Sequence, residues 1–168
     1  TSSPQQRPAR RATIVDCVSV ALDATYSLGR NLSGVGVYSR KILFGLTAAH
    51  PEEQFYFHYR SHRFLRSLRE TLPVNAHRRL LHNAPRAEIF HALNQRVDRK
   101  APRTVTTFHD LFVMTGEYSS AEFRQRFTKQ AREAAQRSDH IIAVSQFTAA
   151  QVESLLGVER SRISVVPH

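Results

Sequence analysis

The sequence predicts an α/β fold: a parallel sheet with helices on both faces. Three observations point to it. Short apolar runs of strand length, such as CVSVALDA, QFYFHYR and DHIIAVS, alternate with stretches of helical period, which is how parallel strands joined by crossover helices read. The 168 residues make about one domain, able to bury roughly two-thirds of the surface of the unfolded chain. The strongest β signature, RTVTTFHDLFV, runs straight into the polar pair His109 and Asp110, as expected where a strand opens onto a ligand-binding edge.

The elements follow in order. Residues 1–13, TSSPQQRPARRAT, lack an apolar stretch; they are no secretory signal and read as a disordered basic arm before a domain over 14–168. The chain opens at Thr1 without a methionine, so the native start is expected upstream. CVSVALDA reads as the first strand, with Cys17 buried in it. A lone cysteine excludes an intrachain disulfide and favours a cytoplasmic protein over an exported one. The first helix is expected from Gly36 to Ala49, with Tyr38, Ile42, Leu46 and Ala49 on one face and Arg40 and Lys41 on the other. QFYFHYR is a second strand. In SHRFLRSLRETL, Phe64, Leu65, Leu68 and Leu72 share a helical spacing that Pro73 ends.

AHRRLL is a weak third strand, AEIFHAL a clearer fourth and RTVTTFHDLFV a fifth. A long helix is expected from Ser119 to Arg137, capped by Ser119 or Ser120. After DHIIAVS, Ser145 caps a helix that runs to Leu156 and stops at Gly157. RISVVPH is the last strand, and the chain halts at Pro167 and His168 without a closing helix, as one half of something larger would.

Charge narrows the partners. There are 24 Lys and Arg against 14 Asp and Glu, a net charge of +10, which draws anions: nucleic acid, anionic lipid headgroups or phosphorylated small molecules. The cations are dispersed and the densest cluster, RPARR, lies in the arm. That suits a general field better than a nucleic-acid groove. No run approaches the ~18 apolar residues that a membrane span requires.

The segment RNLSGVGVYSRKIL places Gly34 and Gly36 at the start of a helix, where unsatisfied N–H groups and the helix dipole hold phosphate. It is not a dinucleotide fingerprint. About ten residues separate the strand from the glycines, Ser39 stands at the third glycine position, and no acid ends the second strand. Nor is it a P-loop, because no Gly-Lys-Ser or Gly-Lys-Thr follows. Two readings stay open: a turn with a close helix-to-sheet contact, or a ligand loop at the carboxyl edge of the sheet.

His109 is expected on that same edge, with His91 and Asn94 from FHALN at the end of the neighbouring strand. Each histidine taken singly is as readily a core or surface residue. A zinc site from His58 and His62 lacks a third ligand at suitable spacing. A serine hydrolase would need a G-x-S-x-G elbow, which is absent, so Ser145 is better explained as a cap. Tyr56 and Phe57 alternate in a strand and read as core rather than as a base-stacking platform.

Taken together, LDATYSL, GVGVYSRKIL, FHALN, VTTFHDLF, SDHIIAVSQFT and RISVVPH resemble the N-terminal domain of the retaining GT-B glycosyltransferases of the large group 1 family. The resemblance covers Asp23 to His168. It implies a Rossmann-like half of a two-domain enzyme that moves a sugar from a nucleotide-sugar donor to a carbohydrate or lipid-linked acceptor, without a bound metal. The donor would be held by a C-terminal domain of the same protein. Gly34, Val35 and Gly36 would close over the donor diphosphate or line the acceptor site, His109 would be the catalytic contact to the transferred sugar, and His91, Asn94, Asp110 and Ser145 would complete the substrate-binding rim. Many relatives carry a Gly-Gly pair where this chain has Gly-Val-Gly. Peripheral contact with an anionic membrane would suit a lipid-linked acceptor. The competing readings are a basic nucleic-acid-binding module and a non-catalytic sugar-binding domain of the same fold.

Overall fold

The computed structural model describes residues 18–82, 87–117 and 119–167. The expected basic arm, Cys17 and His168 lie outside them. Seven strands form one all-parallel sheet in the order β3-β2-β1-β4-β5-β6-β7: β1 (Ser19–Asp23), β2 (Gln54–Tyr59), β3 (Ala76–Leu80), β4 (Ile89–Ala92), β5 (Arg103–Phe108), β6 (His140–Ala143) and β7 (Ile163–Val165). The helices are α1 (Gly34–Ala49), α2 (Ser61–Ser67), α3 (Phe112–Thr115), α4 (Ala121–Arg137) and α5 (Gln146–Leu156). Among the described residues no helix is long and apolar enough to cross a membrane.

Side chains alternate across the sheet and feed two cores. On one face Leu22, Phe55, Phe57, Tyr59 and Leu93 meet Tyr38 and Leu43 of α1, with Phe64 of α2 packed beside them. On the other, Ala21, Phe90, Phe108, Ile141 and Ala143 meet α4 and α5. Helix α4 presents Ala131, Ala134 and Ala135 to the sheet; small side chains let its backbone approach closely. The weak third strand is an edge strand, and Arg78 and Arg79 on it suit an edge that must not pair further.

Local signals place the helix ends. The Ser120 side chain accepts from Phe123 N–H and the Ser145 side chain from Thr148 N–H, and Gly157 ends α5 at φ 67°, where a left-handed backbone favours glycine. Four expectations need correction. Helix α1 begins at Gly34, two residues early, because Ser33 caps it. Its buried face is Gly36, Tyr38, Ser39, Leu43 and Thr47, with Ile42 and Leu46 only partly buried and Ala49 exposed. Helix α2 stops at Ser67; of the four apolar residues sharing a helical spacing, Phe64 and Leu72 pack on the core, whereas Leu65 and Leu68 are exposed. Strand β5 ends at Phe108, and Phe112 and Val113 of the expected strand belong to the short helix α3.

Candidate functional site

The strand order reverses between β1 and β4, with β2 and β3 on one side and β5 to β7 on the other. Diverging connections leave a crevice at the carboxyl ends of such strands. Here it is bounded by the loop from β1 to α1, the exit of β4, the exit of β5 and the start of α5.

His109 leaves β5 partly buried. Its Nε2–H donates to the Leu93 carbonyl at 3.0 Å, and its own carbonyl accepts from the Thr148 hydroxyl at 3.1 Å. The imidazole meets the Tyr38 ring edge to face, with centroids 4.7 Å apart and planes at 84°. Tyr38 belongs to α1, so this contact ties the helix that begins at the glycines to the exit of β5. The Tyr38 hydroxyl lies 3.2 Å from Thr107 Oγ1, which lies 2.9 Å from His91 Nε2. Burial lowers the pKa of His91 to about 4, so near pH 7 the imidazole is neutral. Burial also raises that of Tyr38, against the hydrogen bond from Thr107. A neutral hydroxyl–hydroxyl–imidazole chain therefore lies beneath the rim.

The glycines differ. Ser33 Oγ accepts from Gly36 N–H at 3.3 Å, and a Cβ on Gly36 would stand 2.8 Å from the Tyr26 carbonyl. Gly36 serves close packing of the loop on the helix. A Cβ on Gly34 would meet nothing within 4 Å, and among the described residues no group caps the N–H of Gly34 or Val35. The open part of the turn is therefore Gly34 and Val35.

Asn94 is buried, with Oδ1 accepting from Arg96 N–H at 3.0 Å. Asp110 is exposed beside His109. Ser145 Oγ accepts from Thr148 N–H at 3.0 Å, and Thr148 holds the His109 carbonyl, so the α5 cap and the β5 exit are joined. The structure thus links Tyr38, in the second turn of α1, with His91, His109 and Ser145; Asn94 closes the turn that follows β4 and Asp110 faces out.

Two groups at this edge escaped the sequence reading. One is the pair Tyr38 and Thr107. The other is an ionic clasp, buried at Asp23 and Arg60 and exposed at Arg96: Arg60 Nη2 to Asp23 Oδ2 at 2.9 Å, Arg60 Nε to Asp98 Oδ2 at 2.7 Å, and Arg96 Nε to Asp98 Oδ1 at 2.8 Å. Asp23 Oδ1 also accepts from Thr25 N–H, and Thr25 Oγ1 from Arg60 N–H. Burial pushes the Asp98 carboxyl up, but hydrogen bonds from Arg60 and Arg96 outweigh it and hold it below its usual range. The sequence did hold a signal, since Asp23 and Arg60 each close an apolar strand.

The model for Glycosyltransferase Family 4 matches residues 24–168. No curated protein matches the chain. Among solved structures, the wall teichoic acid polymerase TagF is similar at TM-score 0.61 and 12% identity, over 89% of this chain and 38% of that one. A substituted form of the same enzyme is similar at TM-score 0.57 and 12% identity, over 89% and 38%. At such identity the likeness is one of fold. The chain spans 38% of the length of those structures.

Proposed function

The chain belongs to glycosyltransferase family 4, and on that premise we propose that it is the N-terminal, acceptor-binding half of an enzyme that moves a sugar from a nucleotide-sugar donor to an acceptor with retention. The observation that carries this reading is the joint at the crevice: Tyr38 links the helix opened by Gly34 and Val35 to His109, 4.7 Å away.

Cleavage of the bond to the anomeric carbon leaves negative charge on the departing nucleoside diphosphate. Fixed N–H dipoles aimed at such charge are the main stabilising effect a site of this kind offers. The N–H groups of Gly34 and Val35 stand at the positive end of a 16-residue helix and would meet that charge from this side. The C-terminal domain would hold most of the donor. His109 orients the sugar: with Nε2–H committed to the Leu93 carbonyl and the ring against Tyr38, its plane is set, which suits positioning rather than proton abstraction.

The test is His109→Ala in the full-length enzyme. Turnover is expected to fall by more than about tenfold through loss of the positioning contact, with the urea midpoint monitored to show that the fold persists. Unchanged turnover removes His109 from the site.

A further inference from the structure

Parallel strands are usually joined by a helix, but the connection from β4 to β5 has none. It runs along α4 instead. The Gln130 side chain donates to the Gln95 carbonyl at 3.3 Å, and the Arg137 guanidinium to the Val97 carbonyl at 3.0 Å. Between them the connection and α4 leave a groove of about 340 Å³, a size at which small molecules are bound.

Its lining is cationic. Arg126, Lys129, Glu133 and Arg137 share one stripe of α4, at spacings of three and four residues, and Arg96 and Asp98 border the groove from the connection. The three arginines are each held by one contact: Arg96 Nε donates to Asp98 at 2.8 Å, Arg137 Nη1 donates to Val97, and the Arg126 guanidinium lies over the Phe123 ring at 5.5 Å. Among the described residues the other guanidinium N–H groups of Arg96 and Arg137 have no hydrogen-bond partner, and neither Arg126 nor Lys129 has an acid at ion-pair distance. Arginines fixed in this way lose little further freedom when they take a ligand. Glu133 stands one turn from both Lys129 and Arg137 but pairs with neither.

Charge selects the ligand. Asp98 is shared by Arg60 and Arg96, and Arg60 also holds Asp23, so these two acids and two arginines balance. Arg126, Lys129 and Arg137 then face the single carboxylate of Glu133, an excess of two positive charges. A phosphate monoester carries about −1.5 to −2 near pH 7 and offers three acceptor oxygens, which guanidinium forks match in pairs. We infer that this groove binds a small organic phosphate, with Arg96, Arg126, Lys129 and Arg137 donating to its phosphoryl oxygens. The site stands on α4 and the β4–β5 connection alone and does not depend on the transferase reading.

The test is isothermal titration calorimetry of the full chain with glycerol 3-phosphate and, separately, with inorganic phosphate, in a phosphate-free buffer. Glycerol 3-phosphate is expected to bind the more tightly. Arg126→Gln combined with Lys129→Gln should weaken it by more than about tenfold, whereas Arg66→Gln combined with Arg69→Gln, an equal loss of charge on α2, should change it by less than about twofold. Glu133→Gln removes the opposing carboxylate and should tighten binding by about threefold. All five side chains lie outside the buried core, and circular dichroism checks that the variants fold. The proposal is overturned if glycerol 3-phosphate does not bind, if inorganic phosphate binds as tightly, if the α2 variant loses as much as the α4 variant, or if Glu133→Gln weakens binding. Since the readout is binding and not turnover, failure here leaves the transferase reading standing, and an inactive enzyme leaves the groove standing.

Discussion

Gly34 and Gly36 stand two residues apart and answer to different constraints. Neither has a positive φ, so backbone strain is not what selects glycine. At Gly36 the obstacle to a side chain is a main-chain carbonyl at 2.8 Å, with Leu32 Cβ at 3.2 Å. Neither gives way without moving the loop that leads into α1. Gly36→Ala is therefore expected to cost about 1–3 kcal/mol, the usual range for overpacking, measured by urea unfolding. Gly34→Ala should hold or slightly raise stability, because alanine is the better helix former and has open space there. Any weakening of donor binding by Gly34→Ala would then report close approach of the ligand. Equal stability losses at the two positions would contradict this division.

At the scale of elements, the carboxyl edge is held by the clasp of Asp23, Arg60 and Asp98. It joins the ends of β1 and β2 to the connection between β4 and β5, and both Asp23 and Arg60 are buried. Arg60→Met would leave the buried Asp23 carboxylate without its ion-pair partner, while Asp98 keeps Arg96. Breaking a buried pair from one side costs roughly 3–5 kcal/mol, and a loss of that order is expected in urea midpoints. Adding Asp23→Asn should restore part of it, which a double-mutant cycle would read as coupling; strict additivity would show that the clasp does not act as a unit. Tyr38 joins elements in another way, since Tyr38→Phe removes the hydrogen bond to Thr107 but keeps the ring on His109. About 1 kcal/mol is expected from that bond.

For the molecule as a whole, the net charge of +10 with nine histidines makes acid a strong perturbant. His58 is fully buried, and among the described residues neither ring nitrogen has a hydrogen-bond partner. Burial lowers its pKa to about 4, with Arg99 and Arg79 adding to the effect; burial alone lowers that of His91 to about 4. The unfolded chain takes up these two protons near pH 6.5, whereas the folded one does so near 4. Stability is thus intact above about pH 6.5 and falls through that window, by roughly 2 kcal/mol for each histidine at pH 5. Asp98, held low by its arginines, adds a loss of the same sign in a more acidic range. Urea unfolding at pH 7.5 and pH 5 measures the slope. His58→Leu strands no partner and should flatten the slope by about half; an unchanged slope would show that His58 is not its source.

Features encoded by short-range bonds are legible from the chain alone. Ser120 and Ser145 cap helices through N–H groups three residues on, and Gly157 stops α5 through its own φ, so spacing alone reveals them. The alternation of strand and helix, and the placing of His91 and His109 at strand ends, are legible for the same reason. The start of α1 was missed by one cap, Ser33, because two glycines read as a turn. Which strand ends meet is settled by the pairing of the strands in three dimensions. Asp23 finds Arg60, and Tyr38 finds Thr107 and His109, across 37, 69 and 71 residues of sequence. Strand order sets those encounters, and a local period carries no information about which parallel strand will lie alongside. Leu65 and Leu68 make the same point in reverse: their spacing matches that of core residues, and only the packing of α2 against its neighbours turned them to the surface.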